Sequence, residues 1–188
     1  MCLECGGRLI GWGGYWRRLR RQLVVVRVWV PRRRCRSCGR TQSLLPVQAL
    51  ERRLDAVETI GDSVLRKLTG ATIRATAEAL GLPSTTVRDW LSRYQERAPS
   101  LSRGLTAWAI GQGVEVGRLQ AHEDRQAVAA LGAAWHAWRR GGRWRSMGPW
   151  RLWSLITGGR ALTANRSPLF PFNPDAEWMA AAPPARAP

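Results

Sequence analysis

The sequence predicts a small α+β protein, a β-hairpin module followed by an all-helical remainder, and three observations predict it. Two runs rich in β-branched and aromatic residues, Tyr15–Leu19 and Leu23–Val30, stand close together near the N-terminus. The only four cysteines fall as Cys-x-x-Cys pairs, Cys2/Cys5 and Cys35/Cys38, one on each side of those runs. Beyond residue 49 the apolar residues recur at helical spacing instead, with Gly and Pro between the segments.

The cysteine pattern reads as a four-thiolate zinc site. Each pair is followed by glycine, and 29 residues separate Cys5 from Cys35. Zinc takes four soft ligands in a tetrahedron, and a C-x-x-C-G turn lets two sulfurs converge while glycine accepts the backbone angles that open amides towards them. Two such turns joined by a β-hairpin make a zinc ribbon, assigned to residues 1–46. Two disulfides are the rival; with no secretory signal ahead of Cys2, an intracellular and reduced chain is expected instead. Neither pair sits in the βαβ pattern of a redox motif, and four cysteines leave no open position for catalysis. One structural Zn²⁺ is therefore expected, on Cys2, Cys5, Cys35 and Cys38.

Within the hairpin, Arg20-Arg21-Gln22 separates the strands and Pro31 ends the second or sits at an edge. Strand alternation sends Val24, Val26, Val28 and Val30 to one face and Leu23, Val25, Arg27 and Trp29 to the other, so the valine face is expected to pack inward. Arg17, Arg18, Arg20 and Arg21 near the turn, and Arg32, Arg33, Arg34, Arg36 and Arg40 around the second knuckle, crowd positive charge whose repulsion an anionic partner would offset. Together with Arg93 they are the candidate phosphate contacts.

Residues 41–49 form the exit from the ribbon. Leu50, Leu54, Val57, Val64 and Leu68 then predict a helix stopped at Gly70. A shorter helix over Thr72–Leu80, a turn at Gly81-Leu82-Pro83 and a helix over Ser84–Tyr94 with Ser84 as N-cap follow. Ala77 stands where two helices cross closely, and Leu80, Leu82, Val87 and Trp90 are apolar anchors. This segment resembles the helix-turn-helix of DNA-binding proteins, with Thr76 standing where an apolar residue is usual; the domain is assigned to residues 47–97. The resemblance implies that the second helix enters the major groove. Thr85, Arg88, Asp89 and Ser92, opposite Val87, Trp90 and Leu91, would face the bases. Arg88 suits a bidentate pair with guanine and Thr85 a thymine methyl or a phosphate; Asp89 either joins them or holds Arg88 in place.

The segment from Arg34 to Pro46 and the helix Ser84–Trp90 are similar to an uncharacterised family of short bacterial proteins, domain of unknown function 6431, in the paired C-x-x-C motifs, the R-x-C-x-x-C-G-R-T stretch running to L-L-P, and the S-T-V-R-x-W helix. Ribbon plus helix-turn-helix also resembles the N-terminal DNA-binding half of insertion-sequence transposases. The resemblance spans about the first 95 residues and implies DNA binding tied to mobile elements. It stops short of the chemistry: strand transfer there needs three carboxylates holding two metal ions, whereas Glu115, Glu123, Asp124, Asp175 and Glu177 alone follow residue 97, with no strand pattern. No enzyme activity is expected.

The formal net charge is +17, and residues 1–49 hold 11 arginines against one glutamate. That balance points to a polyanion, double-stranded DNA first, through release of condensed counterions. A membrane surface is disfavoured, because the longest apolar run, Leu23–Val30, is broken by Arg27. Residues 98–164 are rich in tryptophan and arginine and predict helices, with Val128, Leu131, Trp135 and Trp138 on one face and a short helix over Trp150–Ile156 ended by Gly158-Gly159. Such a stripe is read as core or as a contact for a second copy or partner protein, with stacking on an unpaired strand as the other reading. Residues 165–188, rich in Pro and Ala, are expected to be a disordered tail. These features combine into a sequence-specific, zinc-stabilised DNA-binding protein of the cytoplasm and nucleoid, a transcriptional regulator or the recognition part of a mobile element. The alternatives are a split transposase subunit with catalysis on another chain, and an RNA-binding zinc module.

Overall fold

The computed structural model describes residues 1–2, 4–117, 121–140 and 147–163. The expected tail, and Asp175 and Glu177 within it, lie outside them. Among the described residues the architecture is α+β, an antiparallel sheet followed by five helices. Strand β1 (Leu9–Arg21) pairs with β2 (Val24–Cys35), which pairs at its far end with a short β3 (Thr41–Ser43). The hairpin is longer than the apolar runs alone suggested, because glycines and arginines extend β1 and arginines extend β2. Its turn is Gln22-Leu23, and Gln22 adopts φ 54° there. Pro31 does not end β2; it lies within this central strand. The register slips between Gly11 and Gly14 at that point, so Trp12 and Gly13 together oppose Arg32. A bulge of this kind tolerates a missing N–H, and Gly13 at φ 69° supplies its left-handed residue.

The valine face packs inward as expected. Val28 is buried and Val26 partly so, with Leu19 beside them, against Ala49 and Ala56, and Val30 is buried further along the strand. Val24, next to the turn, stays exposed, as do Leu23, Val25, Arg27 and Trp29 on the other face.

Helix α1 (Val57–Leu68) starts later than the apolar spacing from Leu50 predicted. Isolated backbone bridges between Arg20 and Asp55 and between Ala49 and Ala56 bracket a turn in which Arg52 adopts φ 58° and the Glu51 N–H reaches the Gly159 carbonyl, so this stretch does not continue the helix. Leu54, placed on the apolar stripe from sequence, is exposed in consequence. Helix α2 (Ile73–Leu80) is capped by Thr72, whose Oγ1 accepts the Ala75 N–H at 3.1 Å. It closes on Gly81 at φ 64°, with the Leu82 N–H reaching the Ala77 carbonyl at 3.0 Å. Helix α3 runs from Ser84 to Gly111, through Pro99 and across the break expected between residues 97 and 98. Ser84 is its first helical residue and does not act as the cap; Pro83 occupies that position and its carbonyl accepts the Thr86 N–H.

Helices α4 (Glu123–Arg140) and α5 (Pro149–Ile156) complete one hydrophobic core with α1–α3. Helix α4 buries Ala127, Ala130, Ala134 and Ala137, small residues that let α3 and α4 approach closely, with Gln126 and Leu131 beside them. Trp135 and Trp138 flank it, half-buried against the core; Trp108 and Trp153 are fully inside. Gly61 on α1 leaves the space filled by the Trp150 indole, which meets Trp153 edge-on at 5.6 Å. These tryptophans act as core.

Candidate metal centre and nucleic-acid interface

The two knuckles repeat one hydrogen-bond scheme. The Cys2 N–H reaches the Gly7 carbonyl at 2.8 Å and the Gly6 N–H returns to the Cys2 carbonyl at 2.9 Å; Cys35 and Arg40 (2.8 Å) and Gly39 and Cys35 (3.1 Å) do the same one hairpin later. Gly6 and Gly39 occupy the left-handed region at φ 68° and 71°. Gly7 makes the approach of the knuckles possible, since a Cβ there would lie 2.5 Å from the Ser37 hydroxyl and 2.9 Å from the Cys35 sulfur. The result brings all four predicted ligands together. Their sulfurs lie within 4.8 Å of one another, Cys2 and Cys38 at 3.7 Å and Cys5 and Cys35 at 3.5 Å, all as free cysteines. Such a cluster can hold one metal ion.

Electrostatics favour a cation there. Backbone amides of Cys38 and Ser37 push the Cys35 thiol down to about 6, and those of Glu4 and Cys5 lower Cys2. The Gln42 side-chain amide adds a donor to the Cys2 sulfur at 3.6 Å. Cys5 goes the other way, to about 12: the Gly7 amide pulls it down, but the neighbouring Cys35 and Cys38 sulfurs outweigh it. Thiolates this close cannot all ionise side by side without a positive ion between them.

The second predicted site is the first half of α3. Val87, Trp90, Leu91 and Tyr94 are buried, and Thr85, Arg88 and Ser92 are exposed along the opposite stripe. Among the described residues Arg88 carries no ion pair. Asp89 is placed differently from expectation: it holds Arg93 at 2.9 Å and Arg53 at 3.3 Å, and does not hold Arg88. The Asp89 carboxylate and the Arg93 guanidinium are thereby engaged within the protein.

The hairpin arginines divide by role. Arg17 donates to the backbone carbonyls of Leu50 and Arg53, and Arg20 forms a two-pronged pair with Asp55 at 2.9 Å on each prong. These two, expected on phosphates, dock the hairpin onto the helical part. Arg32 donates to the Thr41 hydroxyl at 3.1 Å and Arg40 pairs with Glu4 at the surface. Arg18, Arg21, Arg33, Arg34 and Arg36 are exposed, Arg34 lying over the Trp12 ring at 4.6 Å.

Docking places the hairpin next to α3. A cleft of about 370 Å³ opens between them, lined by Arg20, Arg52, Arg53, Thr85, Thr86 and Asp89. Leu23 at the hairpin tip sits against Gly81, where an added Cβ would come within 2.9 Å. Arg53 is the residue that the sequence reading missed. Its guanidinium reaches Asp89 and the Leu162 carbonyl, while its own carbonyl receives Arg17, so it ties hairpin, α3 and the C-terminal segment together. Burial, and then the nearby Arg93 charge, lower its pKa against the pull of Asp89. Its signal in the sequence was an arginine beside Leu50 and Leu54, which a surface helix position explained equally well.

Residues 62–102 match a family model described as a homeodomain-like domain. The match runs from within α1 through α2 and into α3, a helix-turn-helix arrangement of the kind that suggests DNA binding. No curated protein matches the chain, and no solved structure does. No described helix is long and apolar enough to cross a membrane.

Proposed function

We propose that the protein is a sequence-specific, zinc-stabilised binder of double-stranded DNA, acting by recognition and without chemistry of its own, as a transcriptional regulator or as the DNA-recognition component of a mobile element. One observation carries the reading: on the helix that follows the turn of a homeodomain-like unit, Thr85, Arg88 and Ser92 line an open stripe while the opposite face is buried. In the major groove Arg88 suits guanine through a bidentate pair and Thr85 a thymine methyl, with Arg18, Arg21, Arg33, Arg34, Arg36 and Arg40 set for phosphates. Zinc fits the sulfur cluster, since about 2.3 Å bonds in a tetrahedron put sulfurs roughly 3.7–3.8 Å apart, close to the 3.5 and 3.7 Å spacings within the two pairs. It would be held by Cys2, Cys5, Cys35 and Cys38 as a structural ion joining the hairpin ends. Similarity of the first 95 or so residues to the bacterial family of domain 6431 and to transposase DNA-binding halves supports a link to mobile elements and a place on the nucleoid.

Titration against duplexes at several salt concentrations tests the proposal. Log K falls by about 0.9 per phosphate neutralised. Arg88→Ala costs about 1–3 kcal/mol on the preferred site and relaxes base preference, whereas Arg18→Ala weakens every sequence alike. Equal affinity for all duplexes would remove the base-reading role.

A further inference from the structure

The outward face of the hairpin carries two exposed tryptophans and an arginine, Arg27, that duplex binding through α3 does not use. Trp16 and Trp29 are direct cross-strand partners, 57% and 45% exposed, with ring centroids 5.4 Å apart. The next pair along the same face is Arg18 opposite Arg27, and Arg27 lies over the Trp16 ring at 5.1 Å. Like charges placed directly opposite destabilise a sheet unless an anion lies between them. Val25, 57% exposed, extends the face towards the turn. Gly14 keeps the floor flat: a Cβ there would come within 2.5 Å of the Trp29 indole.

We infer that this face is a binding site for single-stranded DNA, with unpaired bases stacking on Trp16 and Trp29 and the adjoining phosphates held by Arg18 and Arg27. Duplex DNA offers phosphates and base edges but keeps its ring faces stacked, so it satisfies the arginines and leaves the indoles in water. A single strand satisfies both, because every base has a π-face beside a phosphate. A second copy of this chain would set the same arginines against each other. The choice of DNA rests on the duplex reading proposed above. The row Trp16, Arg18, Arg20 on β1 leads into the cleft shared with Thr85, so a strand leaving a duplex held by α3 meets this face.

The test uses the full-length zinc-loaded protein and fluorescence anisotropy on a blunt duplex, the same duplex with an unpaired DNA tail of about ten nucleotides, and that duplex with an RNA tail, a length within the usual single-strand site size. The DNA tail should tighten binding about tenfold or more, and Trp16→Ala should remove most of that gain, with Trp29→Ala doing the same, while blunt-duplex affinity is unchanged. Trp16→Phe keeps a stacking ring and should retain much of the gain, which separates lost stacking from a disturbed fold; zinc content and urea midpoint check each variant. Arg88→Ala should weaken blunt and tailed duplexes by one factor, so failure of the duplex reading shows separately. No gain from the tail, an equal loss on blunt DNA in the tryptophan variants, preference for the RNA tail, or self-association abolished by Trp16→Ala would each overturn the assignment.

Discussion

The pair that joins hairpin to helices gives the sharpest quantitative test. Arg20 Nε and Nη2 each lie 2.9 Å from an oxygen of Asp55, whose side chain is 5% exposed, while that of Arg20 is 40% exposed. Two unit charges about 4 Å apart interact by roughly 4 kcal/mol at an effective dielectric of 20. Water reaching Arg20 screens part of this and also offers the guanidinium a partner once Asp55 is gone, so the penalty stays below that of a fully buried orphan charge. A double-mutant cycle on Arg20→Ala and Asp55→Ala is therefore expected to give a coupling of about 2 kcal/mol in urea unfolding, set by the two-pronged geometry. Asp55 raises the Arg20 pKa above its ordinary value. A raised cationic pKa contributes stability below the unfolded value and loses it only above, so the coupling stays constant across the neutral range. The backbone bonds from Arg20 N–H to Leu54 and from Ala56 N–H to Arg20, both 2.7 Å, remain in the variants. A coupling under about 0.5 kcal/mol, the level of an exposed surface pair, would refute the docking role.

Other expectations are equally direct. Gly61→Ala improves helix propensity by about 1 kcal/mol but drives its Cβ into the Trp150 indole; a net destabilisation of about 1–3 kcal/mol by urea titration is expected from overpacking. Thr76 is buried and its hydroxyl has no hydrogen-bond partner among the described residues, so Thr76→Val should stabilise the fold by roughly 1 kcal/mol; a lower urea midpoint would contradict this. Chelation under reducing conditions should release one Zn²⁺ per chain and loosen the knuckle end of the hairpin, read by metal analysis and amide exchange. Far-ultraviolet circular dichroism should keep its helical signal, because the helical core does not touch the cysteines.

Much of the candidate site was legible because its signals are local. Cys-x-x-C-G specifies its own turn, so two copies bracketing a hairpin marked the four cysteines that the fold brings together. The alternation in Leu23–Val30 marked the buried face, and Gly81 with Ala77 marked the turn and the close crossing. Helix starts were less legible. Leu50–Asp55 has helical spacing, yet hydrogen bonds from a strand distant in sequence occupy its backbone, and no pattern within those residues carries that information.

The sequence by itself determined which cysteines form the cluster, the hairpin and the helix with its exposed Thr85, Arg88 and Ser92, because each knuckle, strand pattern and helix face is written in residues a few positions apart. Tertiary structure alone decided which arginines stay open to a partner. Arg17 and Arg20 look the same as Arg18 and Arg21 in the chain, but Asp55 and the carbonyls of Leu50 and Arg53 are brought to the former pair by folding. An arginine's role depends on which acceptor arrives beside it, and for Arg17 and Arg20 those acceptors come from more than thirty residues away.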